Sequence, residues 1–512
     1  MAGLSVLLTT EGTYPYHRGG VSTWCHALTQ NLAEIDFTLF AVTMHPYLRL
    51  QYPLSHNVVR LIRVPLWGVE EPAEYAGHDG LAVFLRKKWA TTETGIAANF
   101  LPSFKCFLTT ILSPESSMQA LGATLLEMYD YFGNFDYHLT MRAPAIWEEF
   151  AGMVAAAFLE EAPGRRAPAM AELTEALRLL YRFLSVLHTR VPRTDLSHSA
   201  AAAFCGLPCV VARIRHGTPY LLTEHGVYIR EQYLNLTRSI PSFFVRWFLY
   251  RLMGGIVRLN YHFADQISPV CAYNARWEKW WGVPPERIQV IYNGVHAESF
   301  RPMASPRGNR QVVSSIGLIY SLKGQLDLVE AAAIVRVEFP QVEFRFYGSV
   351  SDPSYYAKCR ARIHDLGLQS TVIFSGATSN TRQVYCEADV VALASISEGF
   401  PYVVIEAMTT GAAIVSTDVG GVREALGETG LLVRPRRPQE MAEAILGLLR
   451  APEERRRLGA QARARALRLF TQEKFLEEYR SSYQRLVGDR DRTGVVRFPP
   501  RVQAVAAGVE SR

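Results

Sequence analysis

The first forty residues alternate short apolar runs with a segment of helical spacing. Leu4 to Thr9 predicts a strand, and a loop rich in Gly, Pro and Tyr follows from Glu11 to Gly20. Val21 to Ala33 then predicts a helix, and Phe37 to Val42 predicts a second strand. This order is typical of a βαβ unit, in which a helix connects two parallel strands.

Residues from about 50 to 190 follow a mostly helical pattern that is broken by loops. Because this stretch is too long for a single crossover, it is predicted to elaborate the first domain. Strand patterns resume after it at Cys209 to Ala212, Tyr220 to Thr223 and Gln266 to Pro269. The segment Ile288 to Tyr292 closes this half of the chain.

Beyond a segment rich in Pro, Ser, Arg and Gly, from Glu298 to Arg310, strand and helix patterns alternate. The predicted strands are Val312 to Ile316, Glu343 to Tyr347, Thr371 to Phe374, Val390 to Ala394 and Ala413 to Thr417. The predicted helices between them are Gln325 to Val337, Tyr356 to Leu366 and Tyr402 to Thr410. Such alternation specifies a parallel sheet covered by helices.

These patterns predict an α/β protein with two Rossmann-like domains, and 512 residues with 49% apolar content suffice for two cores. The N-terminal domain is predicted over residues 1–297 and the C-terminal domain over 311–470. A closing helix over 471–487 is predicted to return to the N-terminal domain. The polar, Arg-rich tail over 488–512 lacks periodicity and is predicted to be disordered.

Composition narrows the class of protein. A net charge of +6 is small for this length and the charges of both signs are interspersed, so no nucleic-acid partner is expected. Seven scattered cysteines without metal-ligand spacing indicate reduced thiols. Neither a secretion-signal pattern nor a run of eighteen apolar residues occurs, so we expect a cytoplasmic protein without a spanning helix.

The most apolar segment runs from Phe243 to Ala264 and is interrupted by Arg246, Arg251 and Arg258. This mixture suits a helix lying at a membrane interface, but it also suits a helix whose apolar face is buried inside the fold. The pattern alone leaves both alternatives open.

The strongest chemical signal is the segment Ser397 to Glu406, in which Glu398 and Glu406 are separated by seven residues. A strand that ends near Ser395 places this loop at the carboxyl edge of the sheet, where open α/β folds bind ligands. Pro401 at a helix start leaves free N–H groups that favour an anion. Two unremarkable glutamates in an ordinary βαβ unit are the alternative.

This segment resembles the E-x7-E signature of glycosyltransferase family 4, which contains retaining enzymes of the GT-B fold. The chain is also similar to that family in Gly317 to Gly324, Ile291 to Val295, Thr417 to Gly421 and the helix that begins at Phe470-Thr471. The N-terminal half resembles a narrower group, the PelF-like transferases of exopolysaccharide synthesis. That resemblance lies in Glu11 to Ser22 and in Leu221 to Gly226.

The resemblance implies that Glu406 holds the donor ribose and that Lys323 pairs with the donor diphosphate. It also implies that Glu398 holds the hexose and distal phosphate together with a backbone loop, formed by Gly399, Phe400 and Pro401. A compact ammonium suits the negative charge that develops on a leaving diphosphate, and this stabilisation is usually the largest catalytic contribution.

One position departs from the family: members commonly carry Arg directly after the glycine at position 317, and this chain has Leu318. Arg18, beside Gly19 and Gly20 in the first strand-to-helix loop, is predicted to supply the missing charge from the other domain. The glycine pair permits close approach of the backbone to a ligand, or serves only a tight turn.

Two histidines are candidate site residues. His225 comes directly after Tyr220 to Thr223 and Glu224, so it is predicted at a sheet edge facing the cleft, and in the family the matching histidine lies beside the reacting sugar. His198 is a weaker candidate, for which a structural role is the alternative.

The resemblance implies a retaining transferase that moves a hexose from a nucleotide diphosphate sugar, such as UDP-glucose or a related UDP-hexose, to a glycan or lipid-linked acceptor. No cofactor and no metal are expected, since Asp489-Arg490-Asp491 has metal-type spacing but follows the last predicted helix. A peripheral contact with the inner membrane face or with a membrane synthase stays open. A nucleotide-sugar epimerase of GT-B architecture and a catalytically silent sugar-nucleotide-binding subunit are the alternatives.

Overall fold

Two six-stranded parallel sheets organise the computed structural model, which describes residues 3–67, 80–113, 115–303 and 310–493. The strands of the first sheet are β1 (Leu4–Glu11), β2 (Ile35–Thr43), β3 (Val58–Pro65), β4 (Leu196–Ser199), β5 (Tyr220–Glu224) and β6 (Gln266–Pro269). The strands of the second are β7 (Val312–Ile316), β8 (Glu343–Tyr347), β9 (Val372–Gly376), β10 (Val390–Leu393), β11 (Ile414–Thr417) and β12 (Leu431–Val433).

Helices cover both sheets. In the N-terminal half they are α1 (Gly20–Asn31), α2 (Leu81–Ala90), α3 (Glu93–Asn99), α4 (Leu101–Leu112), α5 (Met118–Asn134), α6 (Tyr137–Met141), α7 (Pro144–Glu161), α8 (Met170–Leu184), α9 (Leu207–His216), α10 (Tyr228–Ser239), α11 (Phe243–Phe263) and α12 (Ala272–Trp280). Beyond residue 310 they are α13 (Gln325–Glu338), α14 (Pro353–Asp365), α15 (Thr381–Glu387), α16 (Tyr402–Thr410), α17 (Val422–Leu426), α18 (Pro438–Arg450), α19 (Pro452–Leu469) and α20 (Gln472–Thr493).

Both sheets share one topology. The first has the order β3-β2-β1-β4-β5-β6, and the second has the order β12-β11-β10-β7-β8-β9, which is the same connectivity in the opposite sense of viewing. In each sheet the chain reverses its direction of growth once, between β1 and β4 and between β7 and β10. Such a switch point opens a crevice at the carboxyl ends of the strands, and open α/β sheets bind ligands there.

The first sheet is covered on both faces by different parts of the chain. Leu7 and Phe40 point into a core formed with the helical region between β3 and β4. Val6 and Leu8, on the opposite face, pack with α1 and with α20. The last helix therefore belongs to the core of the first sheet. It runs to Thr493, past residue 487 where the sequence predicted its end, and residues 494–512 lie outside the described part of the chain.

One N-terminal strand prediction was wrong, and two strands of the first sheet were missed. Cys209 to Ala212 lies inside α9, whose start has Pro208 and whose end has Gly217 in the left-handed conformation with φ of 63°. The strand in this part of the sheet is β4, and β3 lies in the region predicted to be mostly helical. Ile288 to Tyr292 forms no strand and contributes an isolated bridge from Ile288 to Ile267.

The apolar segment Phe243 to Ala264 forms α11, and most of its apolar side chains are buried among the helices of the first core. Arg251 pairs with Glu161 of α7, and Trp247 Nε1 donates to the same carboxylate at 2.8 Å. In the described ranges no single helix is long and apolar enough to span a membrane. The helices α3 and α4 meet that test only jointly, with a 50° bend between them.

Candidate active site

An ion pair joins the two loops at the switch point of the second sheet. Lys323 follows β7, Glu398 follows β10, and Lys323 Nζ donates to Glu398 Oε1 at 2.6 Å. Ser395 Oγ donates to the same oxygen at 2.6 Å. Gly324 brings the loops together, because a Cβ at this residue would lie 2.0 Å from the carbonyl oxygen of Ala394.

The ammonium group of Lys323 is held in its charged form. Burial is the largest single effect and opposes the charge, but Glu398, Tyr320 and Glu231 together outweigh it, so the pKa of Lys323 is raised. The side chain keeps 22% of its surface exposed. A fixed positive charge thus stands at the position where the topology favours an anionic ligand.

The loop that carries Glu398 touches the N-terminal half through its backbone. A Cβ at Gly399 would lie 1.9 Å from the carbonyl oxygen of His225, so only glycine permits this approach. Arg230 Nη1 donates to Ser397 Oγ at 2.7 Å, and Asn293 Nδ2 donates to the carbonyl oxygen of Phe400 at 2.9 Å. The carboxyl edges of the two sheets therefore meet at this loop.

His225 follows β5, as the sequence predicted, and is uncharged. Its ring packs edge-on against Trp24 at 4.8 Å between centroids, and burial lowers its pKa to about 3. Nε2 is buried without a hydrogen-bond partner among the described residues. A neutral imidazole at this edge is suited to exchanging hydrogen bonds with a ligand hydroxyl rather than to pairing with a phosphate.

Glu406 lies on α16, one turn inside the helix that begins after Pro401. The hydroxyl of Tyr385 donates to Glu406 Oε2 at 2.7 Å, and burial raises the pKa of the carboxyl. A carboxylate fixed by a phenol is well oriented for a bidentate contact to vicinal hydroxyls.

The loop before α1 reaches the same region. Arg18, Gly19 and Gly20 are exposed, and a Cβ at Gly20 would lie 3.6 Å from the ring of Tyr402 on α16. Leu318 is 43% exposed in the loop after β7. The structure thus places the loop of Arg18 beside the helix that carries Glu406, while the charge compensation itself stays a prediction.

His198 is a structural residue. Its Nδ1 is hydrogen-bonded to the hydroxyl of Tyr483 at 2.7 Å, and its Nε2 to Thr223 Oγ1 at 2.8 Å. The side chain is fully buried and packs edge-on against Trp24. Both ring nitrogens are used inside the core, so His198 fastens α20 to the first sheet.

Sequence reasoning missed two carboxyl groups near this site. Glu11, at the end of β1, accepts hydrogen bonds from Cys205 N at 3.1 Å and from the hydroxyl of Tyr228 at 3.3 Å. Glu231, on α10, lies against the backbone of Gly226 and interacts with both Lys323 and Glu398. The sequence signal was position, since Glu11 is the last residue of β1 and Glu231 lies on the helix that follows β5.

A cavity of about 370 Å³ opens at the switch point of the first sheet. Its lining comes from the ends of several strands and from α10, and includes Glu11, Thr13, Thr43, Trp67, His225 and Glu231. Because His225 touches the loop of Glu398, the cavity and the Lys323–Glu398 pair are neighbours.

Among the described residues no group of three or more His, Cys, Asp or Glu side chains is placed to hold a metal ion. Asp489-Arg490-Asp491 lies within α20 rather than at a strand end.

Two family models match the chain. A domain of unknown function, DUF3492, matches residues 4–286, and the family described as glycosyl transferases group 1 matches residues 310–451. The first model covers most of the N-terminal half and the second covers most of the second sheet with its helices.

Curated proteins with similar sequences carry glycosyltransferase names. The D-inositol 3-phosphate glycosyltransferase of Corynebacterium urealyticum is 30% identical over 323 residues, covering 55% of this chain and 76% of the relative. That of Rhodococcus erythropolis is 33% identical over 241 residues, covering 43% and 54%. The chain thus spans about half the length of the Rhodococcus protein.

Solved structures confirm the fold. Sucrose-phosphate synthase from Thermosynechococcus elongatus has a TM-score of 0.60 at 19% identity, covering 95% of this chain and 100% of that chain. Anabaena HepE in complex with UDP and glucose has a TM-score of 0.58 at 16% identity, covering 94% and 99%. The predicted GT-B architecture, two Rossmann-like domains facing across a cleft, is therefore confirmed.

Proposed function

The chain belongs to the glycosyltransferases, with a group 1 domain behind a DUF3492 domain, and on that premise we propose that it transfers a hexose from a UDP-hexose, such as UDP-glucose, to a glycan or lipid-linked acceptor in polysaccharide synthesis. The Lys323–Glu398 pair at the switch point of the second sheet carries the proposal. It sets an ammonium group, which suits the diphosphate, beside a carboxylate, which can accept hydrogen bonds from the sugar hydroxyls. HepE, of the same fold, was solved with UDP and glucose, which supports a UDP-sugar donor.

The position of a side chain supports each proposed donor contact. Glu406 would hold the ribose hydroxyls, oriented by Tyr385. Lys323 would neutralise the diphosphate. The backbone N–H groups of Gly399 and Phe400, and those of the first residues of α16 after Pro401, would add partial positive charge. Glu398 would accept hydrogen bonds from hexose hydroxyls while keeping Lys323 in place.

The proposed chemistry is front-face retaining transfer. The bond from the anomeric carbon to the β-phosphate oxygen breaks, the acceptor oxygen bonds to the same face, and the acceptor proton passes to the departing phosphate oxygen. Lys323 stabilises the charge that develops on UDP. His225, which is neutral, would contribute hydrogen bonds beside the hexose without changing its charge.

Product analysis with UDP-glucose tests this proposal. The protein is incubated with labelled donor, with and without a mixture of neutral oligosaccharides, and both UDP release and glycoside formation are measured. Acceptor-dependent glycoside with the α configuration of the donor is expected. Conversion of the sugar without any acceptor would identify an epimerase, and binding of UDP without turnover would identify a silent subunit. Either result would contradict the proposal.

A further inference from the structure

The cavity at the switch point of the first sheet carries unpartnered polar groups. Thr13 Oγ1, Thr43 Oγ1 and His225 Nε2 belong to residues that line it, and each atom is buried without a hydrogen-bond partner in the described part of the chain. An unpaired buried polar group destabilises a fold, so such groups are rare in native proteins. Three of them around one cavity indicate a ligand with several hydroxyl groups.

One wall of the cavity is aromatic and held in place. Trp67 packs edge-on against Phe183 at 5.9 Å between centroids, and Phe183 stacks on Phe204 at 4.5 Å with an interplanar angle of 10°. Trp67 and Phe183 both line the cavity. A rigid ring offers apolar contact to the C–H face of a pyranose while the sugar hydroxyls turn toward the polar wall.

The charged groups that line the cavity favour a ligand with hydroxyl groups over one with a phosphate group. The described lining residues include Glu11 and Glu231 but neither Lys nor Arg. Burial raises the pKa of both carboxyls, and their oxygens accept hydrogen bonds from hydroxyls in either protonation state. A phosphate dianion, by contrast, would find no Lys or Arg side chain among these lining residues to pair with. The volume of about 370 Å³ lies within the range of small-molecule sites.

Glu231 connects the cavity to the donor side. Its carboxyl lies against the backbone of Gly226, since a Cβ there would be 2.0 Å from Glu231 Oε1. The same carboxyl interacts electrostatically with Lys323 and Glu398. A hydroxyl bound to Glu231 would therefore stand between the cavity and the ion pair.

We propose that this cavity binds the acceptor as an uncharged saccharide end and that its acidic, cation-free lining selects against phosphorylated acceptors. The inference rests on the proposed transferase function. Glu11 and Glu231 accept the acceptor hydroxyls, and Trp67 supports the terminal ring.

Paired acceptors test the charge selection. The full-length protein is given labelled UDP-glucose with maltotriose, cellotriose, laminaritriose or chitotriose, and with the 6-phosphate of each trisaccharide at its non-reducing end. For the neutral form that is elongated, kcat/KM should exceed that of its phosphorylated partner by tenfold or more. Equal or better use of the phosphorylated form overturns the inference, as does hydrolysis of UDP-glucose without transfer to any of the neutral trisaccharides.

Thr43→Val and Trp67→Ala test the location. Thr43→Val removes an unpartnered hydroxyl with little change of volume, so Tm should stay the same or rise, while the acceptor KM rises about three- to tenfold. Trp67→Ala should raise the acceptor KM further, whereas Trp280→Ala, at a 71% exposed tryptophan of α12, should leave it unchanged. An unchanged acceptor KM in both variants overturns the inference. Failure to bind UDP in calorimetry would instead overturn the proposed function, since neither residue is placed on the donor side.

Discussion

The Cα of Gly399 and the carbonyl oxygen of His225 are in backbone contact, although the two residues follow strands of different sheets. A methyl group at residue 399 would approach that oxygen to 1.9 Å. This contact sets the distance between the loop that carries Glu398 and the strand end that carries the cavity. The distance between the proposed donor and acceptor sites therefore depends on this glycine.

Gly399→Ala should therefore push the two loops apart and lower kcat about 10- to 100-fold, because small displacements of reacting groups are costly. Affinity for UDP should fall less than kcat, since Lys323 and Glu406 keep their own supports. Gly447→Ala is the matched control, because a Cβ there meets no atom within 4 Å and alanine suits the helix. Steady-state kinetics and calorimetry on both variants check this prediction. Wild-type kcat in Gly399→Ala would show that the contact has no catalytic consequence.

Glu406→Ala should weaken UDP binding by about 1.5–3 kcal/mol, because it removes a charge-assisted hydrogen bond to the ribose. Glu398→Gln should lower turnover more than UDP affinity. Tyr385→Phe should give a smaller loss of affinity, since it removes only the hydroxyl that orients Glu406. Calorimetric titration with UDP measures all three, and unchanged affinity in Glu406→Ala would refute the ribose assignment.

If Lys323 supplies the positive charge at the diphosphate, as proposed, transfer should persist in excess EDTA. Among the described residues no group of three or more His, Cys, Asp or Glu is placed to hold a metal ion. The assay is repeated after dialysis against chelator and again after adding Mn²⁺ or Mg²⁺. A loss of activity that either ion restores would contradict metal independence.

Arg18→Ala should lower kcat far more than Arg49→Ala, which removes another exposed arginine of the N-terminal half, if Arg18 supplies the charge that Leu318 lacks. Leu318→Arg should then partly rescue Arg18→Ala by restoring a guanidinium near the diphosphate. A double-mutant cycle on kcat decides the matter. Effects that simply add would mean that the two positions do not share the phosphate.

Two buried carboxyls should make stability fall as pH rises from about 4.5 to about 9. Burial raises the pKa of Glu224 to about 8, and the charge of Glu231 adds to the effect. Burial likewise raises the pKa of Glu278 to about 9, and there the charge of Glu224 adds to it. In the unfolded chain both ionise near 4.5, so the folded state holds extra protons between these values. This stabilisation is complete below pH 4.5 and declines up to pH 8–9, by about 1.4 kcal/mol per pH unit for each proton.

Chemical denaturation at pH 6 and pH 8.5 measures this decline. Glu278→Gln should make the decline less steep and leave the contribution of Glu224, because the amide does not ionise and neither oxygen of Glu278 has a hydrogen-bond partner in the described structure. Glu286→Gln, at an exposed neighbour, should retain the full slope. An identical slope in Glu278→Gln and the wild type would contradict the assignment.

Much of the second sheet could be predicted because its strands are short apolar runs between helices. Val312–Ile316 and Glu343–Tyr347 have the predicted bounds, as does the helix Tyr402–Thr410. A parallel strand buried on both faces is apolar at nearly every position, and this pattern is visible without knowledge of its neighbours.

The first sheet was harder to predict because β4 has a polar sequence, Leu-Ser-His-Ser. His198 is buried only because Tyr483 and Thr223, far away in the sequence, satisfy its ring nitrogens. The apolar run from Cys209 to Ala212 suits either a helix or a strand, and Pro208 and Gly217 were the local signals that favoured the helix.

Some residues of the candidate site could be predicted from the sequence and others could not. Lys323, Glu398 and His225 each follow a strand closely, so their position at a sheet edge could be predicted. Glu11 and Glu231 could not be singled out, because their environment is created by loops from other strands. Tertiary packing, rather than local pattern, makes these two carboxyls part of the cavity lining.

The position of helix α20 at the end of the described chain also affects the order in which the two sheets can fold during synthesis. Tyr479 and Tyr483 complete the face of the first sheet through Thr223 and His198, yet they are synthesised after the whole second sheet. Domains usually fold as they emerge, so the second sheet can close its core before the first has received its last layer. Until α20 has been synthesised, Trp24 and the apolar residues around it are exposed on the first sheet. We expect chaperones to bind the nascent chain at this apolar surface.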